Sequence, residues 1–388
     1  MNTFDVSLPT TSQSNDTTDR SKTKVLFYYP DFGLMGGIEN YILQVTHHLT
    51  QRQHIQPIIA CSANTPLFQR LEQHGWQPGK NLFGIRSLSI FKNPNLRVLD
   101  LPSALQLGQI LIKSQPNCVH VHVGALENLL FKALGYPVVY TFHGYGSLYS
   151  MCDVKPYTLK WFIKTALRYS FQYTAQHLNQ LCFVSHTEYQ RMLTECYIQQ
   201  THKARVIHNG LQIEKLQKQL KAIVPATVKK HLNIPAHYRV ITMVCRLEPS
   251  KNPLDFIALA ERMLSERSDL VFVLAGSGSQ HEAVTQRIQA SPYRDSLRLL
   301  GYQDDVSTLL RISDVTVSTS KMEGFGLSVL ESLACGVPCV AYAVGGIPEV
   351  MHRSTTQSLL VPPGNLAQMA QTIDKLLAQK SDDRILYT

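Results

Sequence analysis

The sequence predicts an α/β protein made of two parallel-sheet units that face one another across a cleft. Three observations predict it. Short apolar runs of strand length alternate with segments of helical spacing along most of the chain, the pattern of a parallel sheet covered by helices. The alternation pauses over a Lys- and Gln-rich stretch, 211–237, and then restarts. The chain has 388 residues, 44% hydrophobic and 17% charged, an ordinary globular composition with the length of two domains.

Residues 1–23 are rich in Ser, Thr, Asn, Asp and Gln and hold no apolar run. They are expected to be a disordered leader and not a signal peptide. The first unit, 24–210, opens on the buried strand Lys24–Tyr29, followed by Gly36-Gly37 and a helix over Ile38–Gln51 with Ile38, Ile42, Val45 and Leu49 on one face. Further strands are expected at 55–60, 118–123, 137–142, 181–185 and 204–208. Residues 211–237 contain Pro225 and Pro235 and read as a linker with one short helix. The second unit, 238–388, has expected strands at 239–245, 270–275, 296–300, 314–318 and 337–342, and helices at 254–265, 280–289, 326–334 and 366–378. Ligands of such sheets sit at the carboxyl ends of the strands.

Composition limits the partners. No segment reaches the roughly 18 apolar residues that a membrane span needs. The formal charge of +9 is uneven: residues 1–210 carry 18 Lys/Arg and 11 Asp/Glu, net +7, and residues 211–388 carry 19 and 17, net +2. A phosphorylated ligand or an anionic membrane surface explains such an excess, and no nucleic-acid-binding motif is visible. The eight cysteines show no CxxC pair and read as small buried residues in a reducing compartment.

Two motifs carry the chemistry. Glu323-Gly-Phe-Gly-Leu-Ser-Val-Leu-Glu331 joins the end of a strand to the start of a helix through glycines. Such a junction is an anion site, because the first helical N–H groups are unpaired and the helix dipole favours negative charge. Eight residues of helical rise cover about 12 Å, enough for a sugar at one end, a ribose at the other and a pyrophosphate between. The second motif, Arg246-Leu-Glu-Pro-Ser-Lys251, directly follows a strand, and its two cations can clamp a diphosphate. Gly36-Gly37 is a second close-approach turn, and His143 follows a strand as a candidate proton acceptor near neutral pH. His120 and His122 share one strand face without an evident third ligand, so no metal site is expected there.

These segments resemble the E-x7-E motif and associated turns of retaining glycosyltransferase family 4, over roughly residues 24–378. The resemblance implies the GT-B fold, two Rossmann-like domains across a cleft. It implies that Gly36, Gly37, Arg246, Lys251, Gly276, Tyr302, Glu323, Gly324, Phe325, Gly326, Leu327 and Glu331 bind a nucleoside-diphosphate sugar, with UDP the expected carrier. It also implies that His143, Glu323, Arg246 and Lys251 act in catalysis. No cofactor and no metal are expected, since the cations and amides do the work of a divalent ion. The turn Gly345-Gly346-Ile-Pro348-Glu349 matches a family turn near the donor.

The acceptor is expected to be a glycan or a lipid-linked molecule of surface polysaccharide or glycolipid synthesis. Residues 155–171 mix four cations with aromatic side chains, a pattern that suits peripheral contact with an anionic membrane. The expected location is cytoplasmic, at the inner face of the plasma membrane. A phosphorylase, a nucleotide-sugar epimerase and a non-catalytic binding subunit are the alternatives. The family's long C-terminal crossover helix is expected to be short or absent, because only ten residues follow Ala378.

Overall fold

The structure is a computed structural model. It describes residues 22–30, 35–85, 101–122, 126–144, 171–195, 202–351 and 359–378, with isolated positions between 158 and 199. The expected leader (save Lys22 and Thr23), most of the basic aromatic segment 155–171 and the residues after Ala378 lie outside the described residues.

Two all-parallel sheets form. The first has seven strands: β1 (Thr23–Tyr29), β2 (Ile55–Ser62), β3 (Leu82–Ile85), β4 (Cys118–Val121), β5 (Val138–Phe142), β6 (Gln180–Phe183) and β7 (Ala204–Val206), in the order β3-β2-β1-β4-β5-β6-β7. The second has six: β8 (Arg239–Val244), β9 (Leu270–Ala275), β10 (Leu297–Leu299), β11 (Val315–Ser318), β12 (Cys339–Tyr342) and β13 (Leu360–Val361), in the order β10-β9-β8-β11-β12-β13. Each order reverses once, between β1 and β4 and between β8 and β11, and a crevice opens at such a reversal.

The central strands are apolar on both faces because helices cover both. In β9 all six residues of Leu270–Ala275 are buried, which is why it reads as a continuous apolar run rather than an alternation. On one face of the first sheet, Phe27, Tyr29 and Ile59 pack with Ile42 of the helix Gly37–Thr50; on the other, Leu26, Tyr28 and Val121 pack with Leu107 and Phe131. In the second, Phe272 and Ile241 pack with Phe256 and Ile257 of the helix Pro253–Leu264, and with Ile373 of the helix Leu366–Ala378.

The stretch 211–237 differs from the expected linker with one short helix. It forms two, Ile213–Ala222 and Pro225–His231. Pro225 sits at the first turn of the second, where its missing N–H costs no hydrogen bond. Val228, Leu232 and Ile234 then pack against the second sheet, so this segment is part of that unit's core. The sequence reading also missed β3, β13 and several helices, among them Pro66–Gln73 and His186–Thr194. Among the described residues no helix is long and apolar enough to cross a membrane.

Candidate donor site between the two sheets

The wall from the second unit is built on the reversal between β8 and β11. The loop after β8 carries Arg246 and Lys251 and is tied to the loop after β11: Thr319 Oγ1 donates to the Asn252 carbonyl at 2.9 Å, and the Lys321 N–H to that of Ser250 at 2.8 Å. This tie brings Lys251 Nζ to 2.6 Å from Glu323 Oε1, which also accepts from Ser320 Oγ at 2.9 Å. Both partners of the ion pair are mostly buried, with side chains 19% and 11% exposed.

Gly324, Phe325 and Gly326 then lead into the helix Leu327–Ala334. Gly326 has φ +97°, a left-handed conformation that favours glycine, and among the described residues no side chain caps this helix. Its first N–H groups are therefore free for an anion. Glu331 lies farther along the helix, half-buried, and burial pushes its pKa up to about 7. Gly276 closes β9 beneath this wall; a β-carbon there would overlap the Cys245 carbonyl. Phe325 is buried, with His208 at 5.3 Å between ring centres.

The opposing wall comes from the reversal of the first sheet. Gly36 and Gly37 follow β1 and begin the helix Gly37–Thr50. A β-carbon on Gly36 would lie 3.2 Å from Arg246 Cδ, and one on Gly37 3.4 Å from Leu327 Cδ1. The Gly-Gly turn thus approaches the cation loop and the helix start of the other unit. Glu39, buried one turn on, accepts a hydrogen bond from Tyr29 at 2.5 Å. His143 and Gly144 follow β5 and lie directly against Gly324, where a β-carbon would come 2.1 Å from the His143 carbonyl oxygen. Ser185 Oγ donates to the Gly324 carbonyl at 2.7 Å.

The site residues expected from sequence therefore converge. Glycines 36, 37 and 324, with His143, Arg246, Lys251, Glu323 and Leu327, meet where the two walls touch. Tyr302 lies at the rim, 42% exposed, where its hydroxyl accepts from Arg70 Nη1 at 3.2 Å. Arg70 also pairs with Asp304 at 2.7 Å. Sequence reasoning missed Arg70, although Thr65-Pro66 is a helix-start signal: Thr65 caps the helix Pro66–Gln73 and Pro66 opens it. It also missed the partners of Glu349, whose carboxylate reaches the first unit. Glu349 accepts from the His186 and Thr187 N–H groups at 2.8 and 2.6 Å, from Thr187 Oγ1 at 2.7 Å and from His208 Nε2 at 3.1 Å. Burial opposes its ionisation, but these bonds outweigh that and hold its pKa below the ordinary value.

Burial, with neighbouring His120 adding to it, lowers the pKa of His143 to about 3, which makes the ring a weak proton acceptor near neutral pH. Burial also lowers His120 to about 4 and His122 well below its ordinary value. These rings bond to one another and to Thr141: His122 Nδ1 is 2.9 Å from His143 Nε2, and His120 Nε2 is 2.7 Å from Thr141 Oγ1. Among the described residues no group of three or more His, Cys, Asp or Glu is placed to hold a metal.

This cluster sets a pH dependence of stability. Well above pH 6.5 the three rings are neutral in the folded and the unfolded chain, so they contribute no slope there. Between about 6.5 and about 4 the unfolded chain binds protons that the folded chain refuses, so stability falls as the pH falls. The summed loss is on the order of several kcal/mol, because each tenfold difference in proton affinity is worth about 1.4 kcal/mol. Burial raises Glu188 and Glu331 to about 7, and these carboxyls pull the other way over the same range. The cluster is therefore read from the variant: between pH 7 and pH 5 the melting temperature of His120→Asn should gain on that of the wild type. The same pH dependence in both would refute the buried neutral state of His120.

Residues 35–215 match the family model Glycosyltransferase Family 4, and residues 226–387 match Glycosyl transferases group 1. The chain is 28% identical over 321 residues to the UDP-Gal:alpha-D-GlcNAc-diphosphoundecaprenol alpha-1,3-galactosyltransferase of Escherichia coli, covering 81% of this chain and 78% of that one. It is 35% identical over 146 residues to the 2-deoxystreptamine N-acetyl-D-glucosaminyltransferase of Streptomyces fradiae, covering 37% of this chain and 34% of the relative. Among solved structures, a glycosyltransferase from Rickettsia africae superposes with TM-score 0.71 at 20% identity, covering 92% of this chain and 89% of that one. Anabaena HepE in complex with UDP and glucose superposes with TM-score 0.70 at 17% identity, covering 94% and 92%. With two parallel sheets of the GT-B arrangement and family models matching both halves, the chain belongs to glycosyltransferase family 4 and is a glycosyltransferase enzyme.

Proposed function

We propose that the enzyme transfers a sugar from a nucleoside-diphosphate sugar, with UDP as the carrier, to a hydroxyl of a glycan or lipid-linked acceptor, retaining the anomeric configuration and needing no metal. The observation that carries this reading is the junction of Lys251, Glu323 and the uncapped helix start, faced by Gly36, Gly37 and His143. In this reading Arg246, Lys251 and the Gly324–Leu327 amides hold the pyrophosphate and stabilise charge on it as it departs. Glu323 takes hydroxyls of the donor sugar, and Glu331 takes those of the ribose. The bond from the anomeric carbon to the phosphate oxygen breaks. The acceptor oxygen bonds to that carbon on the same face, and its proton passes to the leaving phosphate. His143 orients the sugar. The lipid-linked acceptor is supported by the name of the Escherichia coli relative, and synthesis at the inner face of the plasma membrane is part of the same proposal.

The test has two stages. A thermal-shift screen with UDP-, GDP- and ADP-sugars identifies the donor, because a bound ligand raises the melting temperature. Proton NMR of the transferred or hydrolysed sugar then reads its first-formed anomer, with and without EDTA. Inversion would refute retention, and loss of turnover in EDTA would refute the metal-free mechanism. Phosphate-dependent glycan cleavage without a nucleotide sugar would favour the phosphorylase instead.

Glu331 supplies a further prediction. An ionised carboxylate accepts both ribose hydroxyls, and at a pKa of about 7 only part of the enzyme carries it at neutral pH. The affinity for UDP-glucose, whose phosphodiesters do not titrate here, should rise as the pH goes from 6 to 8. In Glu331→Gln it should be weaker and flat, as isothermal titration would show. A wild-type affinity independent of pH would exclude Glu331 from the ribose.

A further inference from the structure

His122 follows β4 directly, at the reversal of the first sheet, and is 2% exposed. Its ring lies nearly parallel to Phe27, at 12° with centres 5.8 Å apart, edge-on to Tyr41, and 4.2 Å from His120. Nδ1 meets His143 Nε2 at 2.9 Å, while Nε2 is buried with no hydrogen-bond partner among the described residues. Both rings are neutral, so the contact between them holds a single proton, and two arrangements are open. If His143 Nε2 carries the proton, His122 is protonated at Nε2, and an N–H is buried without an acceptor. If His122 Nδ1 carries it, its Nε2 is a bare lone pair, and the proton of His143 is on Nδ1. Buried donors without acceptors are rarer in proteins than under-used acceptors. The second arrangement is therefore favoured.

We infer that His122 is a positioning residue that fixes His143 as its Nδ1–H tautomer, and so makes His143 a hydrogen-bond donor to the donor sugar. The inference rests on the proposed reading for the placement of His143 at the sugar. The tautomer itself stands on the His122 geometry and on the neutrality of both rings, and not on where the sugar sits. A donor there polarises a sugar hydroxyl or ring oxygen, and cannot remove the acceptor's proton. That leaves the proton to the departing phosphate.

The test is a nitrogen-15 NMR spectrum of the full chain with labelled histidine, the His143 signals being assigned by their loss in His143→Gln. The wild type should show a protonated Nδ1 and a bare Nε2 on His143. A bare Nδ1 in the wild type overturns the inference, whatever the variants do. His122→Asn places an amide N–H near the lost Nδ1 and should keep both the tautomer and kcat for UDP-glucose hydrolysis within about threefold. His122→Leu removes the donor; kcat should fall about tenfold, the worth of one hydrogen bond, with KM changed little. A protonated Nδ1 in the wild type with kcat unchanged in His122→Leu would overturn the placement of His143 at the sugar while leaving the tautomer standing.

Discussion

Lys251→Met should lower turnover of the nucleotide sugar by about 10²–10³-fold, the range seen when one preorganised stabiliser of developing charge is removed. Lys251 touches Glu323 at 2.6 Å in a setting that solvent barely reaches. The substitution therefore does two things: it removes the proposed phosphate cation, and among the described residues it leaves the carboxylate with Ser320 alone. The second effect alone costs stability, because an unpaired buried charge is expensive. The variant Lys251→Met with Glu323→Gln separates the two. It should recover most of the melting temperature lost in the single variant, while turnover stays low. Recovery of turnover with stability would mean that the pair only holds the fold.

Gly324→Ala should impair the enzyme without touching a charged group. Its β-carbon would sit 2.1 Å from the His143 carbonyl and 3.0 Å from the Gly144 α-carbon. Both obstacles are backbone, so no side-chain rotation relieves the clash, and the two walls must part. Overpacking of this kind costs about 1–3 kcal/mol, so turnover should fall about 10- to 100-fold. Small-angle scattering should show a more extended particle, with the circular dichroism of the wild type. A variant as compact and active as the wild type would show that the contact between the walls plays no part in turnover.

The architecture was legible in the sequence because the central strands are buried on both faces and read as apolar runs, as Leu270–Ala275 does. Short edge elements were not: β3 has four residues and β13 two, too few for a period. The segment 211–237 read as a linker because Lys and Gln dominate it. Three apolar positions, Val228, Leu232 and Ile234, nevertheless dock it on the second sheet. In the site, Glu323 and Lys251 were legible as types in a local context; their mutual contact was not, since it depends on the tie between two loops some 70 residues apart in sequence. His143 was legible as a histidine at the end of a strand; the low pKa that burial gives it was not, since that depends on rings brought together from two strands. Arg70 carries no local mark of its partner, which is supplied by the other sheet.

Glu349 has a consequence for how the molecule comes apart. It belongs to the second unit, yet it satisfies the amides at the start of the helix His186–Thr194 of the first. Those amides have no partner within their own helix, so the second unit completes a helix start of the first. Separation of the units exposes a bare helix end on one side and a stranded carboxylate on the other. The two units are thus coupled in unfolding, and heat should melt them as one cooperative transition rather than as two independent lobes.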